Sequence, residues 1–236
     1  MLRTGPIAIA KAGLIAIAKA APPLGVAFKR FVEMQYWRRQ KSTQGTLRNS
    51  HYEFFYTEFF GLSPADYEGR RVLDVGCGPR GSLEWCDAAA ERVGLDPLVP
   101  SYRALGIDQH RMSYVAAPVE TIPFPDGHFD IVASFNSLDH VENVERAISE
   151  VERVLKPGGR FLLIVEVDHP ATLAEPHTIG EGWLRQRLGE SFEIISFTEA
   201  GQGQGHAVYR ALRESWPVMD GQPAFVAMSM TKAVRA

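Results

Sequence analysis

Three glycines, Gly76, Gly78 and Gly81, follow directly on the apolar run that holds Val72, Leu73, Asp74 and Val75. Glycine permits positive φ and lets backbone approach a ligand closely, and a helix start beyond such a turn binds polar groups through its free N–H donors. That spacing alone suits many nucleotide-like ligands, and Asp74 narrows the choice. A dinucleotide lays its pyrophosphate over this turn, where a carboxylate repels it; a ligand with a cationic end gains Coulomb attraction and charge-assisted hydrogen bonds instead. A second carboxylate, Asp96, stands eighteen residues beyond Gly78. Asn136 ends a further apolar run. His140 and His169 lie just beyond two such runs, each able to act as a general base or to cap a helix or orient a loop.

Positioning these groups requires strands that end where they stand. Residues 71–75, 93–95, 112–116, 129–135 and 161–167 read as buried strands, and 82–92 as the helix after the glycine turn. Across residues 141–155 the apolar positions Val144, Ala147, Ile148, Val151 and Leu155 recur at helical spacing before Lys156, Pro157, Gly158 and Gly159 stop the helix. Beyond His169 the reading is a helix over 183–188, a strand over 192–197, a short helix over 207–214 and a last strand over 224–230. This alternation implies an α/β fold, doubly wound, with a mostly parallel sheet wrapped by helices on both faces.

Residues 28–61 read as helical and are rich in aromatics, among them Tyr52 and Tyr56. Two explanations compete for this run: the apolar face of a lid, and helix packing against the sheet. The chain thus divides into a basic Ala/Ile-rich arm (1–27), an aromatic-rich helical cap or lid segment (28–66) and the ligand-binding domain (67–236). The arm contains a tandem repeat, residues 7–13 and 14–20, whose longest apolar run of seven residues is bounded by Lys11 and Lys19. A bilayer span needs about 20.

The chain's 236 residues, 45% hydrophobic and 22% charged, fit one α/β domain with a short accessory segment. The net charge of −3 hides an asymmetry: residues 1–50 carry nine Lys/Arg and one acid, Glu33, leaving sixteen Lys/Arg against twenty-seven Asp/Glu elsewhere. A basic arm on an acidic body suits nucleic acid, an anionic membrane surface, an anionic substrate or the body's own acidic face. Cys77 and Cys86, nine apart without paired histidines, fit neither a zinc site nor a disulfide framework. A cytoplasmic location is expected. The sequence shows no Ser/His/Asp set, Walker loop or metal-ligand spacing.

Several blocks in order resemble class I, Rossmann-like methyltransferases that use S-adenosyl-L-methionine, of the small-molecule (type 11-like) kind. Residues 73–78 resemble the family's first motif, and Gly94, Leu95, Asp96 and Pro97 its second-strand acidic motif. Residues 122–130, 134–136 and 153–161 are similar to its fourth- and fifth-strand blocks. The resemblance covers roughly residues 70–167. It implies a seven-stranded sheet with S-adenosyl-L-methionine held by Asp74, Gly76, Cys77, Gly78, Asp96, Pro97, Val119, Glu120 and Asn136, and an N-terminal helical extension beyond the family pattern. It further implies methyl transfer to an oxygen, nitrogen or sulfur of a small molecule, with S-adenosyl-L-homocysteine as product and His140 as the candidate base; His169, just past the fifth strand, is a second candidate by its position.

One stretch departs from the pattern: Pro118, Val119 and Glu120 stand where many relatives carry an aspartate that accepts from the adenine amino group. Only the backbone N–H of Val119 is then offered to adenine. Asn136, Ser137, Leu138 and Asp139 also lack the two prolines and aromatic with which nucleic-acid and protein-amide methyltransferases hold a planar amino group. A nucleic-acid acceptor met by the basic arm, and a noncatalytic cofactor-binding regulator, are the rival readings. The sequence is silent on oligomeric state.

Overall fold

The computed structural model describes residues 22–47, 49, 52–172, 175–203 and 207–234. The tandem repeat lies outside them. In chain order the helices are α1 (Pro22–Gln44), α2 (Tyr52–Tyr56), α3 (Val99–Tyr102), α4 (Val144–Val154), α5 (Glu181–Gly189) and α6 (Val208–Glu214). The strands are β1 (Arg71–Val75), β2 (Glu91–Leu95), β3 (Ser113–Val115), β4 (Phe129–Phe135), β5 (Leu155–Val167), β6 (Phe192–Gly201) and β7 (Ala224–Lys232).

The strands form one seven-stranded sheet in the order β3-β2-β1-β4-β5-β7-β6. The pairings from β3 through β5 are parallel, and β7 runs antiparallel to both neighbours. Parallel strands covered on both faces need near-continuous apolar sequence, and the last seven residues of β5 and the first seven of β7 are all buried. Alternate residues feed two cores. Leu73, Val132, Leu163 and Val165 pack with α4 and α5 on one face. Val72, Ile131, Leu162 and Ile164 pack with α2 and α6 on the other.

Helix α4 starts where the Asn143 side chain accepts the Arg146 N–H at 2.9 Å, and its buried stripe is Val144, Ala147, Ile148, Val151 and Val154. A third, smaller core lies off the sheet, where Met34 of α1 and Leu47 pack with Leu98, Val99, Tyr102, Leu105 and Ile107. Helix α1 runs unbroken through residues 27 and 28, where composition divides arm from lid segment. Among the described residues no helix is long and apolar enough to cross a membrane.

The helix expected over 82–92 does not form; turns occupy 82–88 and β2 begins at Glu91. The groups that would close helical turns have other partners here. Arg92 Nη1 reaches the carbonyls of Leu83 and Glu84 at 3.3 and 3.4 Å, Gly69 N–H donates to the Ala88 carbonyl, and Ala90 N–H donates to the Arg70 carbonyl. Leu83 and Cys86 are drawn into the aromatic core, and Glu91 and Arg92 lengthen β2 by pairing with Arg71 and Val72. Strand β5 likewise starts earlier than the expected 161, because Leu155 pairs with Phe129 before a bulge resets the register.

Candidate active site

Sheet order reverses between β1 and β4, and the crevice past the carboxyl ends of such strands is where doubly wound sheets bind ligands. A cleft of about 1090 Å³ opens there, lined from the ends of β1, β2 and β4 and from α1, α2 and the segment after β5. It slightly exceeds the usual range for a single-ligand pocket, roughly 300–1,000 Å³.

The glycine turn forms its floor. Gly76 has φ +70°, and a Cβ there would stand 2.3 Å from Ser137 Cβ. Ser137 is itself tied to β1, its Oγ donating to the Val75 carbonyl at 2.9 Å. Gly78 has φ +57°, and a Cβ there would meet the Trp37 ring at 3.0 Å. Trp37 comes from α1, and Arg80 lies over its ring at 5.4 Å. Gly94 provides room of another kind: a Cβ there would lie 2.7 Å from Cys77 Sγ. Burial pushes the Cys77 thiol well above its ordinary value, which makes it a packing group and not a thiolate.

Two buried carboxylates flank the turn. Asp74 accepts from the Ser82 hydroxyl and bonds the Tyr56 hydroxyl, yet burial outweighs both and pushes it up to about 7. Asp96 accepts the Leu98 N–H at 2.8 Å through Oδ1, and the Gly78 N–H at 3.3 Å and Tyr102 hydroxyl at 3.4 Å through Oδ2. Burial, with the charge of Glu33 second, raises it also to about 7. Tyr102 in turn reaches Glu33 of α1 at 3.1 Å.

Pro97, Val119 and Glu120 line the same cleft. The Glu120 carboxylate already accepts the Glu142 and Asn143 N–H groups at 2.6 and 3.0 Å, so it serves the chain entering α4. Asn136, at the end of β4, adopts φ +53°, a left-handed conformation that asparagine tolerates better than most residues, and lines the cleft with His140. Tyr52 and Tyr56 line it as well, Tyr56 packing on Phe135 at 4.5 Å between centroids and Tyr52 on Tyr209 at 5.2 Å. The aromatic run is thus both core and cleft wall. Lys29 of α1 completes that wall, its ammonium lowered by burial and pulled back up by Glu33, Asp139, Glu120 and Glu142.

His169 lies outside this lining. It stands 3.8 Å from Glu175, which itself lines the cleft and approaches His140 Nε2 at 4.0 Å from its other oxygen. Sequence reading missed Trp37, Glu33, Ser137, Asp139 and Glu175. Asp139 was detectable as the neighbour of His140, but Glu175 lies in an aperiodic segment and carried no signal.

The sheet order is that of a Rossmann-like fold, which the chain shares with solved methyltransferase structures. Residues 73–163 match the family model described as methyltransferase domain. It is 39% identical over 90 residues, 37% of this chain and 36% of the relative, to a malonyl-[acyl-carrier protein] O-methyltransferase of Pseudescherichia vulneris. It is 36% identical over 119 residues, 44% of each chain, to a ubiquinone/menaquinone biosynthesis C-methyltransferase of Pseudomonas paraeruginosa. The matched stretch therefore spans less than half the length of these curated relatives. Among solved structures, a putative methyltransferase from Bacillus halodurans shares the fold with TM-score 0.57 and 19% identity, over 79% of this chain and all of that one. Geranyl diphosphate C-methyltransferase from Streptomyces coelicolor, solved with Mg2+, geranyl diphosphate and S-adenosyl-L-homocysteine, does so with TM-score 0.56 and 17% identity, over 78% of each chain.

Proposed function

We propose that this chain transfers a methyl group from S-adenosyl-L-methionine to an oxygen, nitrogen or sulfur nucleophile of a small molecule. The observation that carries this reading is the pair of buried carboxylates, Asp74 and Asp96, on either side of a glycine turn where added Cβ atoms would collide. When bound, the cofactor supplies a methyl group already activated by a cationic sulfonium. The chain's residues bind and orient. Asp96 suits the ribose hydroxyls and Asp74 the cationic amino-acid end, while Gly76, Cys77 and Gly78 bring backbone close, and Pro97, Val119 and Asn136 line the remaining wall. Pro118 leaves the Val119 N–H as the backbone donor toward adenine.

Such a reaction needs alignment and exclusion of water more than bond-making side chains. α1 and α2 wall the cleft, and this enclosure favours a small acceptor over a macromolecule. Relatives named for a sterol and for ubiquinone and menaquinone support that class. His140 faces the acceptor's end of the cleft and is its candidate proton acceptor; His169 stands behind Glu175 and serves by holding that carboxylate.

Calorimetric titration with S-adenosyl-L-homocysteine tests the reading. Binding is expected for the intact chain, with no comparable binding of NAD, and Asp96→Ala should weaken it by about 1.5–3 kcal/mol, the range for hydrogen bonds to charged groups. Unchanged affinity in the variant would reject the ribose placement. A screen of small hydroxyl, amine and thiol acceptors for S-adenosyl-L-homocysteine release then identifies the nucleophile.

A further inference from the structure

Three groups converge beside the cleft. Asp139 and His140 lie on the turn after β4, and Glu175 lies on the segment after β5. His140 Nε2 stands 3.9 Å from Asp139 Oδ1 and 4.0 Å from Glu175 Oε1, and each of the three residues offers a ligand atom within 4.8 Å of those of the other two. Asp139 is only 5% exposed, and its Oδ1 is buried without a hydrogen-bond partner among the described residues. A buried carboxylate oxygen left unpaired is destabilising, more so with a second carboxylate nearby. Lys29 acts on Asp139 through its charge but makes no hydrogen bond to that oxygen.

Glu175 is held from behind. Thr172 Oγ1 donates to its Oε2 at 3.0 Å, and His169 Nδ1 stands 3.8 Å from the same oxygen, which leaves Oε1 as the edge toward His140. Outer groups that fix a ligating carboxylate in this way are a regular part of metal sites.

We infer that Asp139 Oδ1, His140 Nε2 and Glu175 Oε1 bind one divalent metal ion, and that an oxygen of the methyl acceptor completes its coordination. One imidazole and two carboxylates suit zinc or manganese. Ligand atoms about 2.0–2.2 Å from such an ion lie roughly 3–3.5 Å apart, so side-chain rotations of under about 1 Å close the site. Three protein ligands leave positions open to substrate, and the resulting Lewis acid selects acceptors bearing a hydroxyl or other oxygen donor. The identity of the acceptor rests on the methyl-transfer reading; the ion site rests on the geometry alone. A cation on Nε2 takes the lone pair that direct proton abstraction by His140 uses, so a bound ion moves His140 from base to ligand.

The test is titration of chelator-treated, full-length protein with MnCl2 and with ZnCl2 by calorimetry, alongside a separate S-adenosyl-L-homocysteine titration. One equivalent of at least one ion should bind. Asp139→Asn and Glu175→Gln should each weaken it tenfold or more, His169→Ala should weaken it by about 10–100-fold as an outer-group change, and Glu181→Gln should leave it unchanged. Cofactor affinity should be the same in all four variants. Circular dichroism melts establish that each variant is folded, and the partly exposed Glu175 carries the comparison if Asp139→Asn does not fold. Absence of binding by either ion at millimolar concentration, or binding indifferent to both Asp139→Asn and Glu175→Gln, would overturn the proposal. Failure of S-adenosyl-L-homocysteine to bind would sink the methyl-transfer reading while the metal titration still decides the ion site.

Discussion

Asp74 and Asp96 are carboxylates kept out of water at the ends of adjacent strands, and their behaviour follows from desolvation set against a few hydrogen bonds. Asp74 titrates near 7 in the fold against an ordinary value of 3.8. The folded chain therefore holds this proton more tightly than the unfolded one. The resulting stability is fully present below about pH 4 and is lost as pH rises through about 7. Asp74→Asn removes the dependence, so the melting temperature of the variant relative to the parent should climb between about pH 5 and pH 8. A pH-independent difference would show that Ser82 and Tyr56 keep Asp74 ionised throughout. The same titration bears on ligand binding: a cationic group beside Asp74 favours the carboxylate, so affinity for it should rise across the same interval. At this scale the sequence was informative where chemistry is local. Asp74, Gly76 and Gly78 lie within a few positions of one another, and the turn they form follows from residue type; the consumption of Glu120 by the chain entering α4 depends on a fold that no local pattern reports.

Elements here are set as much by long side chains as by periodicity. Arg153, near the end of α4, donates to the carbonyls of Phe124 and Ile122 at 2.8 Å each and pairs with Glu150 and Asp126 at 2.8 and 2.9 Å. It thereby ties the segment before β4 to the helix after it. That segment continues from Val119, on the cleft wall, through Ile122, whose N–H is accepted by Glu150 at 2.8 Å. Arg153→Met keeps the stem's packing but strands two carbonyls and the Glu150 carboxylate, and should destabilise the fold by about 1.5–3 kcal/mol in a denaturant titration. A cost below about 0.5 kcal/mol would place Arg153 among the surface ion pairs of little weight. The misread helix over 82–92 shows the same principle in reverse. Its residues are compatible with a helix, but Arg92, Arg70 and Gly69 take up the backbone groups that helical turns need, and a periodicity argument sees none of those partners.

At the scale of the whole molecule, no described side chain of α1 belongs to the two cores of the sheet; Met34 packs on the small core around Tyr102, and Trp37 roofs the glycine turn. Removing residues 1–47 should leave a cooperatively melting domain. Its affinity for S-adenosyl-L-homocysteine should fall roughly tenfold, since a well-packed aromatic contact is worth about 0.5–1.5 kcal/mol and 1.4 kcal/mol is tenfold. An unfolded product would show that the third core is integral to the domain. The parallel architecture and the glycine turn were legible in the sequence itself, because buried strands and turns are encoded by neighbours a few positions apart. Which helix roofs the cleft, which carboxylates remain available to a ligand, and the meeting of Asp139 and His140 with Glu175 across thirty-five residues were decided only by tertiary structure. Those relations depend on how the ends of β4 and β5 are brought side by side in the sheet, and hydrophobic periodicity carries no information about the distance between two loops.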